Sequence, residues 1–202
     1  MKLYWCPQTR SMRALWMLEE AGCDYERELV DIRAGAQDAP AYRAINPMGK
    51  VPTLVDGDAV VSESAAICAY VADRYPEAGL APAIDDPARG SYLRWLFFSG
   101  GCIEPAYMQK AMGWETNKPQ AAWGDYDHVI GVLEDAATDI VKRGGWLLGD
   151  DFTAADVMIG LDLYFGINFK MVEPRPVFDT YVARCTDRPA FKRAQAIDAA
   201  GI

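Results

Sequence analysis

The hydrophobic pattern changes period along the chain. Over the first 75 residues short strand-like and helix-like segments alternate; beyond them the pattern is helical throughout. Residues 2–5 read as a short strand. After Pro7 and Gln8 the spacing predicts a helix over 11–21, with Ala14, Met17, Leu18 and Ala21 on one face and Glu19 and Glu20 outside. Gly22, able to take the left-handed conformation, ends it. Tyr25–Val30 alternates like a strand, and 37–45 reads as a short irregular helical segment. Residues 51–55 and 59–61 form a hairpin about Asp56-Gly57-Asp58. A helix then starts at Ser62 or Glu63, its apolar stripe made by Ile67, Cys68, Val71 and Tyr75.

Pro76, Pro82 and Pro87 punctuate a linker over 76–87. A long helix is predicted over 86–112 with Leu93, Leu96 and Phe97 inside. Ser99-Gly100-Gly101-Cys102 loosens its middle, and Pro105 should kink it. A second helix over 120–142 stops at Gly144-Gly145. A third starts at Thr153, where Asp156 completes a capping box variant and Phe152 and Val157 are placed as a hydrophobic staple. Two more fit 176–185 and 189–199. The expectation is an α/β domain over 1–78 and an all-helical domain over 86–202.

The length of 202 residues suits two small domains. At 51% hydrophobic and 24% charged the composition is ordinary for a globular protein. A formal net charge of -9 repels nucleic acid and anionic membrane surfaces, so neither is expected as a partner. Any anionic ligand must be held by a local site. No apolar run reaches the roughly 18 residues of a membrane span, and a strand at residues 2–5 leaves no room for a signal peptide. The five cysteines are scattered and form no CxxC pair; together with the lone His128 they give no metal site. A cytoplasmic, reduced protein is expected.

The most informative segment is Asn46-Pro47-Met48-Gly49-Lys50-Val51-Pro52-Thr53-Leu54, followed by Ser62-Glu63-Ser64. Proline at the start of a strand removes a ladder donor. A cis bond there would leave the Val51 N–H and C=O free to pair with a peptide ligand. Glu63-Ser64 opens a helix whose free N–H groups can bind a carboxylate while Glu63 receives an ammonium. Both charges of an amino-acid head would be met. The same residues also fit a plain hairpin with Ser62 or Ser64 capping the helix.

That segment with its Glu-Ser pair resembles the N-terminal domain of cytosolic glutathione S-transferases. The opening MKLYWCPQTRSMRALWMLEEAG is similar to the start of many bacterial members, and Phe152–Gly160 (FTAADVMIG) resembles the family's helical capping motif. The resemblance covers the chain nearly end to end. It implies a thioredoxin-like first domain, an α-helical second domain, glutathione as co-substrate without a metal, and a homodimer. It further implies that Val51, beside a cis Pro52, pairs by its backbone with the cysteinyl unit of glutathione, that Glu63 and Ser64 hold the γ-glutamyl head, and that Lys50 and Gln37 bind the glycyl carboxylate.

Catalysis in such proteins lowers the pKa of the glutathione thiol. A drop of two units from ~8.5 needs about 2.7 kcal/mol of differential stabilisation. One hydroxyl bonded to the thiolate supplies ~1.5–3 kcal/mol, and a helix N-terminus adds roughly 0.3–1. Counting back from Leu18-Glu19-Glu20-Ala21-Gly22, the family's catalytic serine slot holds Gln8 and its bacterial cysteine slot holds Arg10. Ser11, then Thr9, are the expected hydroxyl donors, with Arg10 as electrostatic support; Ser11 could equally be a plain helix cap. For the second substrate, a small hydrophobic electrophile lying between the domains, Trp95, Phe98, Tyr107, Met108, Trp114, Tyr164 and Phe165 offer an adaptable surface. The same positions also suit core packing.

The leading expectation is a detoxifying transferase conjugating glutathione to such electrophiles. Disulfide or peroxide reduction, through Cys6 near the first helix or through glutathione itself, is a second reading. A non-catalytic ligand-binding protein is a third, because of the residues at Gln8 and Arg10.

Overall fold

The computed structural model describes residues 1–201 and divides into two compact units, 1–78 with 188–202 and 79–187. In the first, β1 (Lys2–Trp5) lies in the middle of a four-stranded sheet ordered β2-β1-β3-β4, with β2 at Glu26–Leu29, β3 at Thr53–Asp56 and β4 at Ala59–Ser62. β2 runs parallel to β1, while β3 and β4 run antiparallel to their neighbours. This is the thioredoxin-like arrangement. β1 and β2 are parallel, so a crossover must join them, and α1 (Ser11–Ala21) provides it. Gly22 ends α1 in the left-handed conformation.

α1 is buried on every side from Ser11 to Leu18 because it packs on both α3 (Ser64–Arg74) and the last helix, α9 (Pro189–Ala200). The Trp16 ring meets Phe191 of α9 edge-on at 5.1 Å. The sequence reading assigned α9 to the helical domain; its apolar side instead completes the first unit. Glu19 and Glu20, expected outside, are corrected for the same reason. The Glu20 carboxylate accepts hydrogen bonds from Arg188 Nε (2.6 Å) and Nη2 (2.7 Å) and from Trp16 Nε1 (2.8 Å). Glu19 pairs with Arg193.

The second unit begins with α4 (Ala88–Phe98). A π-helical turn over Ser99–Ile103 joins it to α5 (Glu104–Met112). The glycine pair widens the helix here, and Pro105 falls where α5 needs no amide donor, so the two helices run on through the turn. Tyr92, Trp95 and Leu96 are buried, whereas Leu93 and Phe97, expected inside, are exposed at 37% and 62%. The inward face is one residue away from the sequence assignment. The helix expected from residue 120 starts later, as α6 (Tyr126–Arg143). Gly124 is left-handed, and Asp125 caps α6 by accepting the His128 N–H at 2.9 Å. The Lys118 ammonium pairs with the same carboxylate, which is held down at about 2 by that bond and by the His128 N–H.

α7 (Ala154–Asn168) is apolar all round and runs through the core, against α4 and α8 (Pro176–Thr186). Its capping box is present, and Phe152 and Val157 are both buried as a staple requires. Asp156 is fully buried. Its Oδ2 accepts from Thr153 N (3.0 Å) and Oγ1 (3.2 Å), and its Oδ1 from Leu147 N (3.0 Å) and Tyr181 OH (2.8 Å). Among the described residues no helix is long and apolar enough to cross a membrane, and no His/Cys/Asp/Glu cluster suits a metal ion.

Candidate functional site

Sheet register brings the chemistry-bearing segments together. Tyr4 pairs with Thr53 and Thr53 with Ser62. The residues after β1, those before β3 and those after β4 therefore leave the sheet at one end. They are the turn Cys6–Arg10, Val51-Pro52 and Glu63-Ser64.

The Val51–Pro52 peptide bond is cis. β3 pairing starts only at Thr53, and neither the N–H nor the C=O of Val51 bonds to another described residue. A short strand edge is thus left for a ligand backbone. The loop that presents it is pinned from below. Lys50 C=O accepts from Tyr42 OH at 2.5 Å and from Asn46 Nδ2 at 2.8 Å, and Thr53 Oγ1 lies 3.0 Å from each of the same two groups. Asn46 Oδ1 accepts the Met48 N–H. Tyr42 and Asn46 are buried, and burial raises the Tyr42 hydroxyl pKa. Gly49 has φ 61°, and a Cβ there would lie 2.9 Å from the Gln37 carbonyl oxygen, so glycine is required. Sequence reasoning found the motif but not the roles of Tyr42 and Asn46. A buried asparagine heading Asn46-Pro47-Met48-Gly49-Lys50 was the available signal.

Glu63 stands at φ 71°, ψ 124°, a region that favours glycine, and costs of order 1–3 kcal/mol there. That conformation turns the chain from β4 into α3. The first N–H groups of α3 have no intrahelical acceptor and receive no side-chain cap from Glu63. Glu63 is exposed, Ser64 half-buried, and the Glu63 carboxylate has no ion pair among the described residues. The Lys50 ammonium is exposed and likewise has none. Gln37 donates through Nε2 to Asp38, while its buried Oε1 has no partner. An enclosed oxygen does not fit the expected role of binding the glycyl carboxylate.

At the start of α1 the hydroxyls are ordered. Thr9 Oγ1 lies 2.7 Å from Cys6 C=O and 2.9 Å from Ser11 Oγ, and accepts the Ser11 N–H at 3.1 Å. Ser11 Oγ accepts the Cys6 N–H at 3.3 Å. Ser11 has 0% of its surface exposed. A sulfur atom, larger than water, cannot reach it. The first-choice donor is therefore a brace inside the turn, whereas Thr9 is a half-exposed residue, beside exposed Arg10. Cys6 is also fully buried, which removes it as a redox centre open to substrate. Gln8, at φ 59°, donates its N–H to Asp198 of α9 at 3.0 Å, and its Oε1 accepts from Arg33 Nη2 at 3.0 Å. Nothing local in the sequence points to Asp198 or Arg33.

Within the second unit, Trp95 is buried and meets Phe98 edge-on at 5.4 Å. Tyr107 OH donates to Asp162 C=O at 3.1 Å. These two aromatics are tied into packing. Met108 and Trp114 are exposed, and Tyr164 is half-buried beside Phe165.

Comparison with known proteins shows the family. The N-terminal domain of glutathione S-transferases, as a family model, fits residues 5–74. Glutathione S-transferase F10 of Arabidopsis thaliana is 43% identical over 157 residues, covering 73% of this chain and 72% of that protein. A glutathione transferase from Methylococcus capsulatus strain Bath superposes with a TM-score of 0.80 at 29% identity over 98% of both chains. A sphingomonad glutathione S-transferase solved in complex with glutathione gives 0.78 at 26% identity, over 98% of this chain and 99% of that one.

Proposed function

Because the chain belongs to the glutathione S-transferase family, we infer that it is a glutathione transferase, taking glutathione as co-substrate and passing its sulfur to small hydrophobic electrophiles. In this reading the glutathione cysteinyl backbone pairs with the free Val51 N–H and C=O beside Pro52. The γ-glutamyl ammonium meets Glu63, and its carboxylate meets Ser64 and the N–H groups opening α3. Lys50 takes the glycyl carboxylate. Thr9 turns its hydroxyl hydrogen from the Cys6 carbonyl to the thiolate, with Arg10 supplying positive potential. The thiol proton leaves to solvent, a carbon–sulfur bond forms to the electrophile, and the electrophile's leaving group departs with its electron pair. Exposed Met108 and Trp114, with Tyr164 and Phe98, receive the apolar substrate; Trp95 and Tyr107 back them.

The observation that carries the reading is the convergence, at one end of the sheet, of unpaired Val51 peptide groups, an unpaired Glu63 at a helix start, and the Thr9 hydroxyl. The reading extends to a detoxifying, cytoplasmic homodimer. Five free thiols support a reducing compartment, and exposed Leu93 and Phe97, one turn apart on α4, support self-association. The test is conjugation of 1-chloro-2,4-dinitrobenzene, followed by product absorbance, together with thermal stability in glutathione. A ligand at 100 times its Kd stabilises by about 2.7 kcal/mol. No turnover and no thermal shift would overturn the proposal.

A further inference from the structure

We propose that Asp198, on the last helix, is a positioning residue for the thiol chemistry: its carboxylate fixes the left-handed Gln8 and so sets where the neighbouring Thr9 hydroxyl points. The inference rests on the transferase reading above. It concerns how α9 (Pro189–Ala200) acts on the turn at the head of α1.

The turn Cys6–Arg10 is short and leaves Thr9 half-exposed between exposed Gln8 and Arg10. Gln8 has φ 59°, a conformation that a residue with a Cβ keeps only when its surroundings enforce it. Two ties enforce it here, reaching from parts of the chain far apart. Asp198 Oδ1 accepts the Gln8 N–H at 3.0 Å, across 190 residues of sequence. Arg33 Nη2 donates to Gln8 Oε1 at 3.0 Å. Both bonds have one charged partner, but the bond to Asp198 is the more direct constraint, since it acts on the backbone itself. Below Gln8 the hydroxyls of Thr9 and Ser11 close onto Cys6, so the turn that carries Thr9 is held from both sides of Gln8.

α9 is itself fastened to α1 by Arg188 on Glu20, Arg193 on Glu19 and Phe191 on Trp16. Asp198 stands two turns beyond Arg188–Phe191, so these contacts decide where its carboxylate arrives. The helix carries its carboxylate to the α1 entry as a fixed strut. If Gln8 is released, its backbone can relax toward the right-handed region, and Thr9, next in the chain, moves with it. Misplacement of a catalytic contact by about 1 Å costs on the order of 100-fold in rate; partial release held back by the Arg33 tie gives a smaller loss.

The experiment compares wild type, Asp198→Ala, Asp198→Asn and Asp198→Glu. Dinitrobenzene conjugation is followed as kcat and KM for glutathione across pH 5.5–9, and the 240 nm absorbance of the bound thiolate gives its pKa directly. Asp198→Ala is expected to lower kcat about tenfold, from loss of one charge-assisted hydrogen bond, with KM for glutathione changed less than threefold, and to move the acid limb of the profile upward. Asp198→Asn, which keeps an oxygen acceptor in place, restores most of kcat. Should Asp198→Ala fold poorly, Asp198→Glu keeps charge and packing but displaces the acceptor by one methylene, and an upward-shifted acid limb is expected there too. Identical pH profiles in all four proteins, or a loss confined to KM, would overturn the inference while leaving the transferase reading intact. Absence of turnover in wild type would overturn both.

Discussion

Replacing Thr9 by Val keeps the side-chain volume and removes the hydroxyl. The bond that this hydroxyl makes to a thiolate contributes ~1.5–3 kcal/mol, or roughly 1.1–2.2 pKa units at 1.36 kcal/mol each. If the bound thiol of the wild type titrates near ~6.5, two units below its free value, that of Thr9→Val should titrate between about 7.5 and 8.5. At pH 6.5 half the wild-type complex is thiolate against roughly a tenth to a hundredth of the variant, so kcat/KM falls about 5- to 50-fold. At pH 9 both are mostly ionised and the rates should agree within about twofold. Valine also leaves the Cys6 carbonyl and the Ser11 N–H without their partner, at about 1–3 kcal/mol of stability. Thr9→Ser restores both bonds and serves as the control. The assay is dinitrobenzene conjugation across pH with a parallel thiolate titration at 240 nm. If Thr9→Val, folded by circular dichroism, has the same acid limb as wild type, the hydroxyl is not the thiolate's donor and the assignment fails.

Arg188→Ala should destabilise the protein by about 3 kcal/mol, because it leaves the nearly buried Glu20 carboxylate with Trp16 Nε1 but without its paired cation. The figure lies at the low end for a broken buried pair since Arg188 is 28% exposed. A urea-unfolding double-mutant cycle with Glu20→Gln checks it, and a coupling energy near zero would sink it. Asp156 supplies a pH dependence. Burial pushes its carboxyl up to about 6 from 3.8 against hydrogen bonds from Leu147, Thr153 and Tyr181 that favour the charged form. With the folded pKa above the unfolded one, the folded state binds a proton between pH 4 and 6 that the unfolded chain does not. This group's contribution is present at low pH and is lost as pH rises through about 6. The stability of wild type relative to Asp156→Asn should therefore be larger at pH 4.5 than at pH 7.5, by about 2 kcal/mol; a difference of the opposite sign would refute the placement.

Signals confined to a few neighbouring residues could be read directly. The alternation of strand and helix through residue 75, the hairpin at Asp56-Gly57-Asp58, the Val51-Pro52 strand entry and the Thr153–Asp156 capping box all depend on local backbone chemistry. What depended on long-range packing could not be read. Glu20 looks like a solvent-facing acid until Arg188 arrives beside it. Leu93 and Phe97 match an inward stripe by period, yet Tyr92 and Trp95 take the interior, since helical spacing fixes a face's width better than its orientation. Residues 120–124 have helical composition, but Trp123 Nε1 and Tyr126 N–H both donate to Gln109 Oε1 of α5, and α6 begins only at the Asp125 cap. Ser11 was selected by its position at a helix start. Its depth beneath the turn depends on α1 being covered by α3 and α9, which composition does not encode.

The first unit is discontinuous along the chain, and this governs the order in which a ribosome can finish it. Residues 1–78 emerge first, but α1 keeps its Trp16 flank bare until the final helix follows. About 110 residues intervene, so at roughly 5–20 residues per second the gap lasts on the order of 5–20 seconds. A nascent tripeptide site therefore waits, half-covered, for the last words of the message. Stop codons placed between Gly79 and Arg188 would yield chains whose thioredoxin-like portion is complete in its strands yet unsealed on one flank, a natural target for chaperones and proteases.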